Sequence, residues 1–87
     1  MNLQDVCSDV SEIIMDLMYR DVNESWKADI LDNILSIIGW DVAEGVKPDL
    51  YKVEDVLDRL VDFQESYDVN LRNPIRKLKK YIREETV

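Results

Sequence analysis

Eighty-seven residues with 19 Asp and Glu against 11 Lys and Arg, no His and a formal net charge of −8 bound the answer from the start. The length suits one domain. The missing imidazole excludes histidine-based metal sites and triads, and a 46% hydrophobic content separates the chain from a disordered acidic tail.

A single Cys, Cys7, cannot form an internal disulfide, which points to a reducing, cytoplasmic setting. The opening residues lack the pattern of a secretory leader. No apolar run approaches the ~18 residues that span a bilayer, so no membrane partner is expected. With only two Gly and two Pro, the chain is poor in tight turns, and this favours a few long helices over strands.

The first predicted helix covers residues 3–20. Leu3, Val6, Cys7, Val10, Ile13, Ile14, Leu17 and Met18 recur at helical spacing. Asn2 suits the N-cap, with Asp5 three residues on. Asp5, Asp9, Glu12 and Asp16, at intervals of 4, 3 and 4, form an acidic ridge opposite the apolar stripe.

The stretch 21–25 is a polar break in which Asn23 or Ser25 can cap a second helix running to Ile38. Trp26, Ile30, Leu31, Ile34, Leu35, Ile37 and Ile38 cover about half its circumference at ~100° per residue, so it is expected to be the most buried helix. Asp29, Asp32, Asn33 and Ser36 mark its wet side. Gly39 stands where a left-handed C-terminal residue is wanted, and residues 40–47 read as a loop. Trp40 in that loop is the candidate for an exposed anchor, while Trp26 reads as a core cap.

Pro48 and Asp49 suit the first turn of a third helix. Leu50, Val53, Val56, Leu57, Leu60, Val61, Phe63 and Tyr67 form its inner face. Glu54, Asp58, Asp62 and Glu65, at intervals of 4, 4 and 3, form a second acidic ridge. After a turn at 68–72, Asn73-Pro74 marks a helix start, Asn as N-cap and Pro as first residue. Ile75, Leu78, Tyr81 and Ile82 point inward in the fourth helix. Arg72, Arg76, Lys77, Lys79, Lys80 and Arg83 stay outside. Short links between such helices predict an all-α, antiparallel four-helix bundle spanning residues 1–87 as a single domain.

Charge divides along the chain. Residues 1–71 carry 17 acids and 5 bases, or −12, and residues 72–87 carry 6 bases and 2 acids, or +4. The basic helix can serve internal complementarity with the acidic ridges, or it can contact an anion through Arg72, Arg76, Lys79, Lys80 and Arg83. The overall negative charge, and the lack of interleaved aromatics other than Tyr81, argue against nucleic acid.

No motif for chemistry is present. Cys7 has no imidazole to activate it, the serines have no base, and two glycines cannot build a phosphate loop. The Asp-rich ridges lack the calcium-loop pattern. No catalytic, cofactor or metal residue is assigned and no enzyme is expected. The charge then works by binding.

The leading expectation is a small acidic protein that neutralises a basic partner such as a toxin, nuclease or other nucleic-acid-binding protein. Immunity proteins and nucleic-acid mimics use that physics. Carboxylates one helical turn apart lie ~6 Å apart along the axis, near the spacing of phosphates. The contact candidates are Asp5, Asp9, Glu12, Asp16, Glu54, Asp58, Asp62 and Glu65, with Trp40. The alternatives are a structural or regulatory helical module that homodimerises through the apolar arc of helix two, and a nucleic-acid binder using the last helix.

Overall fold

The computed structural model describes residues 3–20 and 22–86. Four helices follow one another: α1 (Leu3–Arg20), α2 (Ser25–Ala43), α3 (Leu50–Tyr67) and α4 (Arg72–Glu85), with a 3-10 turn, Val22–Glu24, before α2. Met1, Asn2, Asp21 and Val87 lie outside the described residues, and the expected Asn2 cap falls among them.

The bundle is closed in chain order. α1 packs on α2, α2 on α3, α3 on α4 and α4 back on α1, while α1 and α3, and likewise α2 and α4, stand across the diagonals of the bundle. Neighbours run antiparallel. Asp41 near the end of α2 pairs with Lys52 at the start of α3 (3.7 Å). At the other end Trp26 meets Tyr67 edge-on at 5.2 Å. Leu3, Val42 and Tyr81 share one depression, which sets the start of α1 beside the ends of α2 and α4.

Periodicity explains the core. Val6, Val10, Leu31, Ile38, Val53, Val56, Leu60, Leu71 and Leu78 are wholly buried, and apolar burial of this kind is the main stabilising term. Met18, expected in the stripe of α1, is instead exposed. It lies at the stripe's edge, in the last turn of α1, beyond the cover of the neighbouring helix. α2 does not stand out as the most buried helix. It buries five residues, as α1 does, because its wide apolar arc is divided between α1 and α3 and its outermost part, Trp40, is left 74% exposed.

Helix ends depart from expectation in ways that capping explains. α2 continues through Gly39 and Trp40 to Ala43, and 40–43 are helix rather than loop. The left-handed residue is Gly45, with φ of 74°. Val46 N–H donates to Asp41 O (2.8 Å) and Gly45 N–H to Val42 O (3.2 Å), the paired bonds of a Schellman ending. At its start, neither Asn23 nor Ser25 occupies the cap position. Glu24 does, without a side-chain bond, and Ser25 Oγ donates back to Val22 O (2.9 Å).

α3 begins one residue after Asp49, so Pro48 and Asp49 precede its first turn rather than form it, and Pro48 is buried beneath it. Asp68 closes α3 in the left-handed region, φ 55°, a conformation that Asp tolerates better than most residues. α4 starts earlier than the Asn73-Pro74 signal, with Leu71 at the cap position and Pro74 buried as the third helical residue. Pro is tolerated there because the first four N–H groups of a helix lack intrahelical acceptors. The turn is tied by side-chain amides: Leu71 N–H donates to Gln64 Oε1 (2.7 Å) and Arg72 N–H to Asn70 Oδ1 (3.0 Å).

Candidate functional site: the charged rows

The two acidic ridges, alike in sequence, have different surroundings. On α1, Asp9 is turned toward α4, where Lys77 Nζ lies 2.7 Å from its Oδ2, and both side chains are about three-quarters buried. Lys77 is therefore a packing partner of α1 and not one of the outward bases expected on α4. Asp16 pairs with Arg20 one turn on. Arg72, from the start of α4, lines the same depression as Asp9 and Glu12. Asp5 and Glu12 remain exposed. The α1 ridge thus leans toward a basic neighbour rather than standing opposite the core.

On α3, Glu54, Asp58, Asp62 and Glu65 are all exposed, and none makes an ion pair among the described residues. Their positions fall on the side of the helix away from Val53, Val56, Leu60 and Phe63, which carry the core contacts. Glu54 and Asp58 border a depression of about 450 Å³ that also holds Ile37, Tyr51, Lys52 and Asp55. Tyr51 is 67% exposed there. From its place near a helix end Tyr51 is expected as a half-buried ring with a wet hydroxyl, and the ring is instead mostly in solvent. Trp40 sits on the side of α2 away from the core and near the same end of the bundle, since the end of α2 meets the start of α3. Trp26 is half-exposed and held against Tyr67, with Lys27 Nζ 5.7 Å above its ring, so it covers the bundle edge more than it caps the core.

Because α1 and α3 are diagonal, the two ridges face opposite corners of the bundle and cannot lie together on one flat surface. The α4 bases are brought together more completely. Arg72, Arg76, Lys79, Lys80 and Arg83 are exposed, and all five line one depression of about 490 Å³ with Gln64 and Ile75. None of the five makes an ion pair among the described residues; Lys77 alone carries the internal complementarity to α1.

A further surface was not foreseen. An apolar groove between α1 and α2 holds Cys7, Met15, Leu35, Gly39 and Val42, with Glu12 its sole charged lining residue. Small residues at positions 8, 11, 39 and 43 leave it open, and their alignment across two antiparallel helices was its only sequence signal. Burial pushes the Cys7 thiol above its ordinary range. Beyond the end of α2, Lys47 donates to Glu85 (2.6 Å). That bond raises the lysine, and burial raises Tyr81 beside them. No group of three or more metal-ligating side chains occurs among the described residues, nor any helix long and apolar enough to cross a membrane.

Comparison with known proteins places the chain in no group: no family model, no curated protein and no solved structure matches it.

Proposed function

We infer that this protein is a binding protein that neutralises a basic protein partner, of the toxin, nuclease or nucleic-acid-binding kind, and that it does so through α3. The observation that carries this reading is the row Glu54, Asp58, Asp62 and Glu65, exposed and unpaired on the outer side of a helix whose other side is locked into the core. A row of that kind needs no rearrangement to meet cations, and it steers a basic surface toward the helix. Tyr51 supplies an aromatic contact beside the carboxylates, the type of residue that carries binding energy at interfaces. The α1 ridge contributes less, because Asp9 and Asp16 already have partners.

The test is capture of partners from the native cells by the tagged protein, followed by reconstitution with the purified partner. Three baits are compared: the unaltered chain, an α3 variant with Glu54, Asp58 and Asp62 changed to Lys, and an α1 variant with Asp5 and Glu12 changed to Lys. A basic protein held by the first and third baits but released by the second supports the reading. Recovery of neutral or acidic proteins only, or retention indifferent to the α3 changes, overturns it.

A further inference from the structure

Three ion pairs join different segments of the bundle among the described residues. Lys77 meets Asp9, Lys52 meets Asp41, and Lys47 reaches Glu85. Two rows take no part in them. Glu54, Asp58, Asp62 and Glu65 on α3 and Arg72, Arg76, Lys79, Lys80 and Arg83 on α4 make no ion pair among the described residues, although the two helices pack side by side. Packing side by side is itself the reason. Each row looks outward from its own helix, so the two are neighbours on the surface without facing each other. Of two adjacent helices, one therefore carries an unpaired negative row and the other an unpaired positive one.

An interface that closes on itself by two-fold symmetry requires this arrangement, a patch complementary to its own copy. The spacing fits as well. The bases 72, 76, 79 and 83 are separated by 4, 3 and 4 residues and the acids 54, 58, 62 and 65 by 4, 4 and 3. Both rows extend over twelve residues, eleven rises of 1.5 Å or about 16 Å, and no step differs by more than one residue's rise.

We propose that two copies of this chain associate through the α3/α4 face, the acidic row of α3 in each lying on the basic row of α4 in the other. This rests on the reading of α3 as a surface for cations, and it names one source of those cations, the α4 of a second copy. Nucleic acid fits the basic row less well. Tyr81, the aromatic of α4, is buried, so the row offers no stacking platform, and a wide polyanion laid on α4 would also meet the acids of α3.

Two helices side by side offer roughly 20 × 25 Å, on the order of 500 Å² per copy, below the ~800 Å² per partner of a standard stable interface. The dimer is therefore weak and reversible. Its net charges repel, with −8 on each copy. Salt has two opposed effects: it screens that long-range repulsion first and the row-to-row attraction later. Association should peak near 0.1 M salt and fall at least tenfold at about 1 M.

Sedimentation equilibrium of the full chain, from micromolar to millimolar concentration, tests this. The first variant carries Glu54→Lys, Asp58→Lys and Glu65→Lys. The second carries Arg72→Glu, Arg76→Glu and Arg83→Glu. The expected result is a monomer–dimer equilibrium for the unaltered chain, monomer for each variant alone, and restored dimer in their equimolar mixture. If circular dichroism shows that a reversed variant has lost its helices, the corresponding Gln substitutions are measured instead and should weaken association at least tenfold.

A monomer at every concentration overturns the proposal, as does a mixture that stays monomeric. Association undiminished at 1 M salt also overturns it and assigns the contact to apolar surface. Binding of a single-stranded 20-mer oligonucleotide by the monomer, lost with the α4 changes, overturns it in favour of nucleic acid. None of these outcomes bears on capture of a separate basic protein, so the two readings fail separately.

Discussion

α1 and α3 are helices of equal length that present four carboxylates at almost the same intervals, yet only α3 keeps its row free. The row of α1 is displaced toward α4, so Asp9 becomes a packing residue with Lys77, and Arg72 borders the depression that holds Glu12. The row of α3 points away from the core and from both neighbours. Spacing alone makes a ridge. The rotation of the helix about its own axis, set by which neighbours its apolar arc must reach, decides whether that ridge is structural or available.

The largest difference is expected within α3, between its two sides. Leu60→Ala removes a wholly buried side chain and should cost about 2–5 kcal/mol. Asp58→Ala on the outer side should stay within about 0.5 kcal/mol. Urea denaturation measures both, and a large cost for Asp58 would mean that the row serves folding rather than binding.

The next largest effect separates the two ridges. Asp9→Ala leaves Lys77 partly buried without its partner and should cost about 1–2 kcal/mol, whereas Asp62→Ala should cost close to nothing. A double-mutant cycle over Asp9 and Lys77 should show coupling of about 0.5–1 kcal/mol that persists in salt better than a surface pair does. Equal costs at Asp9 and Asp62 would erase the distinction between the ridges.

The end of α2 gives a smaller effect of opposite signs. Gly39 lies inside the helix, and a Cβ there would come no closer than 4.0 Å to Leu35 Cγ. Gly39→Ala should therefore stabilise by up to about 1 kcal/mol. Gly45 has φ of 74°, so Gly45→Ala should destabilise by about 1 kcal/mol although nothing crowds it. Thermal melting of the two variants in opposite directions is the check.

The smallest effect concerns the groove beside α1. Burial raises the Cys7 thiol, so the folded protein holds less thiolate than the unfolded chain at a given pH. Its reaction with a thiol reagent should be slower at pH 8 than in denaturant and should rise at higher pH. By linkage, this group's contribution to stability is fully present below the ordinary cysteine range. It is lost as pH climbs through the raised folded value. Equal labelling rates folded and unfolded would show that α1 and α2 do not shield the sulfur.

Much of the architecture could be read from the chain. The limits of α1, the inner faces of α3 and α4, and the start of the basic segment at Arg72 follow from apolar periodicity and charge, which are local properties of neighbouring turns. Helix ends were less legible. Gly39 looked like a stop because Gly often is one, but Gly45 could take the left-handed turn and Val42 still had core to bury, so α2 ran on. At α4 the side chains of Gln64 and Asn70 held the turn and let the helix begin before Asn73.

Position along a helix, and the side of it that is apolar, need only the residues one turn away. The partner of a charge depends on which helix stands beside it and how each is rotated. The closed order of the bundle, with α1 and α3 on the diagonal, therefore decided that Lys77 belongs to Asp9, that Trp40 stands on a helix with its ring in solvent, and that the carboxylates of α3 are left free.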